Sequence, residues 1–233
     1  MGSEQQADID LRKPAPITSF FSSLQLRRLQ NSGGAVHGPI AESHTGAFLF
    51  LDLVAYTQLG EQLGAKGVKG AEDLSEILHA YYSPILGSIR DHGGDVLFFA
   101  GDAVGVIWLA EADDIANAAV RAARCALNIQ SLVPGIKSAW PKSLQFRASI
   151  GVGPVEEFEV GGVNSNWMQL VRGDAIDKAY RADAIAQGGA VVLSKSCGDH
   201  LHGSGARLTP ISQDFVQLHA LAAQAEPIEA LPE

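Results

Sequence analysis

The feature of the sequence that most constrains the fold is a short apolar run, residues 47–51, that ends abruptly at Asp52. A continuous run of this length is typical of a strand buried on both faces of a sheet. Apolar residues at three-and-four spacing between Leu74 and Ile89 then predict a long helix. Pro84 lies inside that stripe and should kink the helix or shift its start. A buried strand followed by a long helix predicts a mixed fold in which helices cover a sheet.

The remaining predicted elements alternate in a regular order. Strands are expected at 96–100 and 103–109, joined at Gly101-Asp102, then a helix opened by Asp113 and Asp114, then a strand at 146–152. The later elements are two strands, a helix, a strand and a short helix, at 155–160, 167–171, 174–186, 190–193 and 194–200. Gly151–Pro154 is glycine-rich and is expected to form a turn. This order predicts an α+β fold, a ferredoxin-like βαββαβ core with additional strands and helices.

Composition divides the 233 residues into three parts. Residues 1–44 are polar and turn-rich and are expected to form an arm that packs on the domain. Residues 45–225 form the folded domain, and residues 226–233 are rich in Pro, Ala and Glu, as a linker or tail would be. The acidic runs 111–114 and 156–159 are expected to be solvated.

Charge and cysteine content narrow the classes of function. The formal net charge is −9, which argues against binding to nucleic acid or to an anionic membrane. No apolar run approaches the length of a membrane span. The two cysteines, Cys125 and Cys197, match no zinc pattern and are expected to be buried thiols of a cytoplasmic protein.

Two carboxylates stand out by their position. Asp52 ends a strand predicted to be buried, and Asp102 lies at the tip of the next hairpin. In a ferredoxin-like sheet these strands are neighbours, so both side chains can converge on one point. Two adjacent carboxylates repel each other, and divalent cations together with substrate phosphates would relieve that repulsion. The alternative interpretation is that Asp52 caps the following helix and Asp102 makes the turn.

Three segments resemble signatures of the class III nucleotidyl cyclases, in that family's order. Residues 50–57 resemble F-x-D-I-x-G-F-T, residues 93–103 resemble GGD-x-x-K-F-AGDA, and residues 173–181 are similar to GD-x-V-N-x-A-A-R. The arm at 24–29 and the closing segment 215–218 also resemble the first catalytic domain of the soluble, bicarbonate-responsive adenylyl cyclases, which are members of this family.

The resemblance implies a two-metal site. Asp52 and Asp102 would bind two Mg²⁺ or Mn²⁺ ions, with the Leu53 carbonyl as a further ligand. It also implies that the phosphates are held by three backbone amides at a helix start, those of Ala55, Tyr56 and Thr57. The implied reaction is attack of the ribose 3′-oxygen on the α-phosphorus, with release of pyrophosphate.

Other positions depart from the family pattern. Phe98 replaces the purine-reading Lys, Leu170 replaces a polar base-reading residue, and Asp177 replaces the Asn that orients the ribose. Arg181 remains at the position of the transition-state Arg. Phe and Leu side chains cannot hydrogen-bond a base. The part of the site that holds base and ribose is therefore altered, whereas the part that holds metal and phosphate is complete.

These observations leave three functions open. The first is a catalytic half that acts on a nucleoside triphosphate, with ATP as the expected substrate, once a second cyclase domain completes the site. The second is a pseudo-cyclase that serves as a regulatory or dimerisation module without turnover. The third is a self-sufficient homodimer with an unusual base preference. The retained aspartates favour the first function, and the altered base-side residues favour the second.

Overall fold

A computed structural model of the chain describes residues 22–31, 38–111, 114–136, 144–164 and 166–222. Its helices are α1 (Ser23–Asn31), α2 (Tyr56–Gly64), α3 (Val68–Asp91), α4 (Ile115–Leu132), α5 (Asp174–Asp183) and α6 (Lys195–Asp199), with a 3₁₀ turn at Val133–Gly135. Its strands are β1 (Ile40–Leu53), β2 (Asp95–Ala100), β3 (Ala103–Leu109), β4 (Phe146–Val163), β5 (Asn166–Arg172), β6 (Val191–Ser194), β7 (Arg207–Pro210) and β8 (Phe215–Ala220). Asp113 and the expected linker at 226–233 lie outside the described residues.

The strands form one mixed sheet. Its order is β2-β3-β1-β4-β6-β8-β7, and β5 pairs with the second half of β4. β1 is antiparallel to both β3 and β4, while β4 and β6 are parallel. The order β2-β3-β1-β4 is that of a ferredoxin-like βαββαβ unit, which confirms the predicted α+β fold.

Each face of the sheet packs against its own helices. Alternate side chains of β1, from Ala47 to Leu53, join the large core beneath α2, α3 and α4. Phe48 and Phe50 point to the opposite face, where they pack against residues of α5 such as Ala175. A Cβ at Gly151 of β4 would lie 2.0 Å from the Ala175 carbonyl oxygen, so glycine there permits α5 to approach the sheet closely. We call this second face the α5 face.

Two expectations about the elements were wrong in detail, and for a third, one of its two alternatives is excluded. β1 begins at Ile40, before the apolar run. β4 runs unbroken through Gly151–Pro154, because that segment pairs with β1 along its whole length, so the expected turn and the two separate strands are one strand. α3 is a single 24-residue helix that contains Pro84 and begins at Val68, so proline does not shift its start.

The arm helix α1 packs on the α5 face, as expected of an arm. The Leu24 amide donates to Asp95 Oδ2 at 3.1 Å, and Arg28 lies against glutamates of β4. The expectation that the run 156–159 is solvated was wrong, because Glu157 is 1% exposed and Glu159 7% exposed. Strand alternation directs both side chains beneath α1, where Arg28 partly neutralises them.

Among the described residues, no helix is both long and apolar enough to span a membrane.

Candidate active site

Asp52 and Asp102 lie at the same edge of the sheet. Asp52 is the penultimate residue of β1 and pairs in register with Ala103, the residue that follows Asp102 in the β2–β3 turn. The Tyr82 hydroxyl of α3 donates to the Asp102 carbonyl oxygen and fixes this turn against the core. The sequence-based expectation that the two strands are neighbours is therefore met in the fold.

The guanidinium of Arg147 lies between the Asp52 and Asp183 carboxylates. Arg147 of β4 pairs in register with Asp52, and its Nη2 donates to Asp52 Oδ2. The same nitrogen lies 3.5 Å from Asp183 Oδ2 at the end of α5. The Ser149 hydroxyl donates a hydrogen bond to Asp183 Oδ1 at 3.5 Å. Three carboxylates and one arginine carry a formal charge of −2, which suits divalent cations.

The pKa values of Asp102 and Asp183 reflect burial first and the neighbouring charges second. Burial raises the pKa of Asp102, the charge of Asp52 raises it further, and Arg147 opposes the rise. Burial likewise raises the pKa of Asp183, against the effect of Arg147. The hydrogen bond to Asp52 is the main cause of the raised pKa of Arg147. A carboxyl with a raised pKa is one whose charged form gains from an added cation.

The turn after β1 leads directly into α2. Ala55 is the N-cap of α2, has φ 64° and ψ 25°, and makes no side-chain capping hydrogen bond. Asp52 therefore does not cap this helix. The first amides of a helix have no intrahelical acceptor, so the α2 start, with Tyr56 and Thr57, is suited to an anion next to Asp52. Leu53 is buried at the end of β1.

The base-side residues do not gather around one polar pocket. Phe98 is half-buried, packs 6.1 Å from the Phe48 ring, and fills the space above Gly105, where a Cβ would lie 2.4 Å from its ring. Asp177 and Arg181 are exposed on successive turns of α5. Leu170 is exposed on β5, opposite Phe158 of β4.

An aromatic surface adjoins the aspartates on the α5 face. The Tyr180 ring of α5 meets Phe50 edge-on, with ring centroids 4.8 Å apart. Phe50 lies two residues before Asp52 on the same face of β1. Burial raises the pKa of the Tyr180 hydroxyl, and the Asp177 charge adds to the rise.

Sequence reasoning missed Arg147 and Asp183. A signal for Arg147 was present, since it is the only charged residue between Phe146 and Pro154, a stretch otherwise suited to a buried strand. Asp183 gave no such signal, because its role depends on how α5 lies across the sheet.

Two further groups of side chains lie away from this site. Asp199 and His202 are exposed, with His202 Nε2 4.0 Å from Asp199 Oδ1. Cys125 and Cys197 are buried free thiols, as expected, and burial raises the pKa of each to about 12.

Comparison with known proteins finds homologues of this chain. No protein-family model matches the chain. Human adenylate cyclase type 10 is 31% identical to it over 162 residues, which are 68% of this chain and 10% of that protein. The mouse protein of the same name is 29% identical over 161 residues. The chain is a homologue of the type 10 adenylyl cyclases. It spans about a tenth of the length of these relatives.

Solved structures show that this homologue has the class III cyclase catalytic fold. The adenylyl cyclase CyaB from P. aeruginosa matches 82% of the chain and all of that structure, with TM-score 0.63 and 16% identity. The catalytic core of a rhodopsin-guanylyl cyclase in complex with ATPalphaS matches 77% of this chain and 98% of that structure, with TM-score 0.63 and 19% identity.

Proposed function

We propose that this cyclase homologue is the metal- and phosphate-binding half of a two-domain nucleotidyl cyclase that converts ATP to 3′,5′-cyclic AMP and pyrophosphate. The observation that carries the proposal is the convergence of Asp52 and Asp102 at one edge of the sheet, beside the uncapped start of α2. Carboxylates for cations and amides for phosphates are the two elements that a metal–triphosphate complex requires.

The carboxylates fit divalent cations. Asp102 has a pKa raised by burial and by Asp52, and one arginine cannot balance three carboxylates. We assign Asp52, Asp102 and the Leu53 carbonyl as ligands of Mg²⁺ or Mn²⁺. Such paired ions stabilise the attacking and leaving oxygens of a phosphoryl transfer.

The chain's own groups would position the triphosphate. The amides of Ala55, Tyr56 and Thr57 would bind phosphate oxygens at the α2 start. With Asp52 engaged as a metal ligand, Arg147 would be free to pair with Asp183 or with a phosphate oxygen. The ribose 3′-oxygen loses its proton and bonds to the α-phosphorus, while the bond from that phosphorus to the bridging oxygen breaks and pyrophosphate leaves.

The base and ribose would be held by a second cyclase domain. Phe98 and Leu170 offer no hydrogen bond to a base. Asp177 would place a negative charge near the ribose, where it would disfavour the negative charge that develops on the attacking oxygen. Arg181 of this chain would face the partner's half of the interface. An exposed apolar surface on the β4–β5 hairpin, formed by Val160, Met168 and Leu170, provides a surface for that contact.

A pseudo-cyclase module is the second candidate. It is supported by Phe98, whose ring packs into the α5 face and leaves no polar group at its position. Such a module would bind a partner domain without contributing to turnover.

Calorimetric titration of the full chain with ATP and Mn²⁺ tests the proposed site. We expect binding by the wild type and by the exposed control Asp199→Asn. Loss of one metal carboxylate in Asp52→Asn or Asp102→Asn should weaken binding by about tenfold or more. Unchanged affinity in both variants would contradict the metal assignment.

A further inference from the structure

A second cluster of charged side chains lies at the opposite end of β1 from Asp52. Glu42 and Glu157 are directly opposite each other on β1 and β4, a pairing of like charges that destabilises a sheet unless a cation relieves it. His44 lies two residues further along β1, and Glu159 two residues further along β4. Ten residues of strand separate Glu42 from Asp52, a distance of about 30 Å.

The only cation in contact with this cluster among the described residues is Arg28 of α1. Its Nη2 lies 2.7 Å from Glu157 Oε2 and 3.5 Å from Glu42 Oε2, and its Nη1 donates to Glu159 Oε2 at 3.1 Å. Three carboxylates, those of Glu42, Glu157 and Glu159, and one guanidinium carry a formal charge of −2. One divalent cation would balance that charge.

Two potential metal-ligand atoms of the cluster, like the Nε donor of Arg28, are not hydrogen-bonded within the described residues. His44 Nε2 and Glu157 Oε2 are both buried and have no hydrogen-bond partner among the described residues. Glu157 Oε2 touches Arg28 without the geometry of a hydrogen bond, while its Oε1 accepts one from Gln169 Nε2 at 2.6 Å. A carboxylate that is 1% exposed gains strongly from a fully bonded cation.

The spacing of these atoms suits a tetrahedral metal ion. His44 Nε2 lies 3.6 Å from Glu42 Oε2 and 3.9 Å from Glu157 Oε2, and the ligand atoms of the three residues all lie within 4.8 Å of one another. Zinc bonds of about 2.0–2.1 Å in tetrahedral geometry separate ligand atoms by roughly 3.4 Å. Small side-chain movements would therefore close the site.

We propose that Glu42, His44 and Glu157 form a zinc site, distinct from the catalytic carboxylates, at which Zn²⁺ competes with the Arg28 Nη2 contact. An imidazole with two carboxylates suits zinc better than Mg²⁺, which prefers oxygen ligands. Glu42 is exposed and gives the ion a route from solvent. Arg28 retains its hydrogen bond from Nη1 to Glu159, so zinc binding loosens α1 without breaking all of its contacts.

Titration of Zn²⁺ into the full chain, in competition with a chelating dye, tests this site. With excess Mg²⁺ present to occupy the catalytic carboxylates, we expect one zinc ion per wild-type chain, and an affinity at least about tenfold lower in His44→Ala. The exposed control His202→Ala and the catalytic-site variant Asp102→Asn should match the wild type. Arg28→Gln should bind zinc more tightly, because the competing guanidinium is gone.

Binding that survives His44→Ala, binding lost in Asp102→Asn, or no binding by the wild type would overturn the proposal. Substitution of Co²⁺ into the wild-type chain gives a measurement that does not depend on a variant folding. An intense visible spectrum, typical of four-coordinate cobalt, is expected, and the weak spectrum of a six-coordinate ion would contradict the site. Neither assay measures cyclase activity, so its outcome is independent of the proposed function.

Discussion

Arg147 lies directly opposite Asp52 on paired strands, and its guanidinium bonds the Asp52 carboxylate while also lying 3.5 Å from Asp183. This relationship explains how the fold tolerates acidic groups at a buried sheet edge when no metal is bound. It also distinguishes the two proposed metal-binding aspartates. Among the described residues, Asp52 has a cationic partner in direct contact and Asp102 has none.

The first prediction concerns that difference. In chelator, Asp102→Asn should raise stability at neutral pH, since it removes a partly buried charge that Asp52 repels. Asp52→Asn should lower the free energy of unfolding by about 1–2 kcal/mol, because it removes a charged hydrogen bond that solvent partly screens. Chemical denaturation of both variants measures this. Equal effects of the same sign would contradict the asymmetry.

The second prediction is the pH dependence of the Asp102 effect. The folded state holds a proton on Asp102 more tightly than the unfolded chain does, because folding raises the pKa of this carboxyl from its ordinary value of 3.8. The charged Asp102 carboxylate therefore lowers the free energy of unfolding at pH values above its raised pKa. This loss of stability disappears as the pH falls through that pKa. The stability gain of Asp102→Asn should be largest at pH 7 and shrink on acidification. Thermal melts from pH 7 to 4 test this, with exposed Asp199→Asn as a control expected to show no such trend.

The third prediction concerns the turn that leads into α2. Ala55 adopts a left-handed conformation, φ 64°, which costs an L-residue roughly 1–2 kcal/mol. Ala55→Gly should raise the free energy of unfolding by about 1 kcal/mol, part of the relief being lost to the greater freedom of glycine when unfolded. Ala71→Gly, on an exposed turn of α3, should lower it by about 0.5–1 kcal/mol. Destabilisation by both glycines in denaturant melts would contradict the strain at Ala55.

The α5 face shows what could be predicted from the sequence and what could not. Local apolar patterns gave the strands around Asp52 and Asp102, because each pattern is contained within a few residues. Glu157 and Glu159 were misjudged because their partner, Arg28, lies about 130 positions away in the chain. The continuity of β4 through Pro154 likewise depends on its pairing with β1, which no local rule reports.

The fourth prediction compares two ion pairs with equal N–O distances, each between an arginine and a glutamate of β4. Arg28 and Arg172 each lie 2.7 Å from a glutamate of β4, but the Arg28–Glu157 side chains are 10% and 1% exposed, against 71% and 41% for Arg172–Glu156. Arg28→Met should cost about 3 kcal/mol, because it leaves buried carboxylates without a cation. Arg172→Met should change stability by less than about 1 kcal/mol. Similar losses in urea denaturation would refute the buried network.

The central claim is that this chain supplies the metal and phosphate half of a cyclase site. The most direct test mixes purified residues 1–233 with a second cyclase domain that carries the Lys, Asn and Arg motif residues, and measures cyclic AMP formed from ATP and Mn²⁺. We expect little product from the chain alone and clear product from the mixture. That product should fall by about two to three orders of magnitude with Asp102→Asn. Rapid turnover by the lone chain, or mixture activity that survives Asp52→Asn and Asp102→Asn together, would contradict the account.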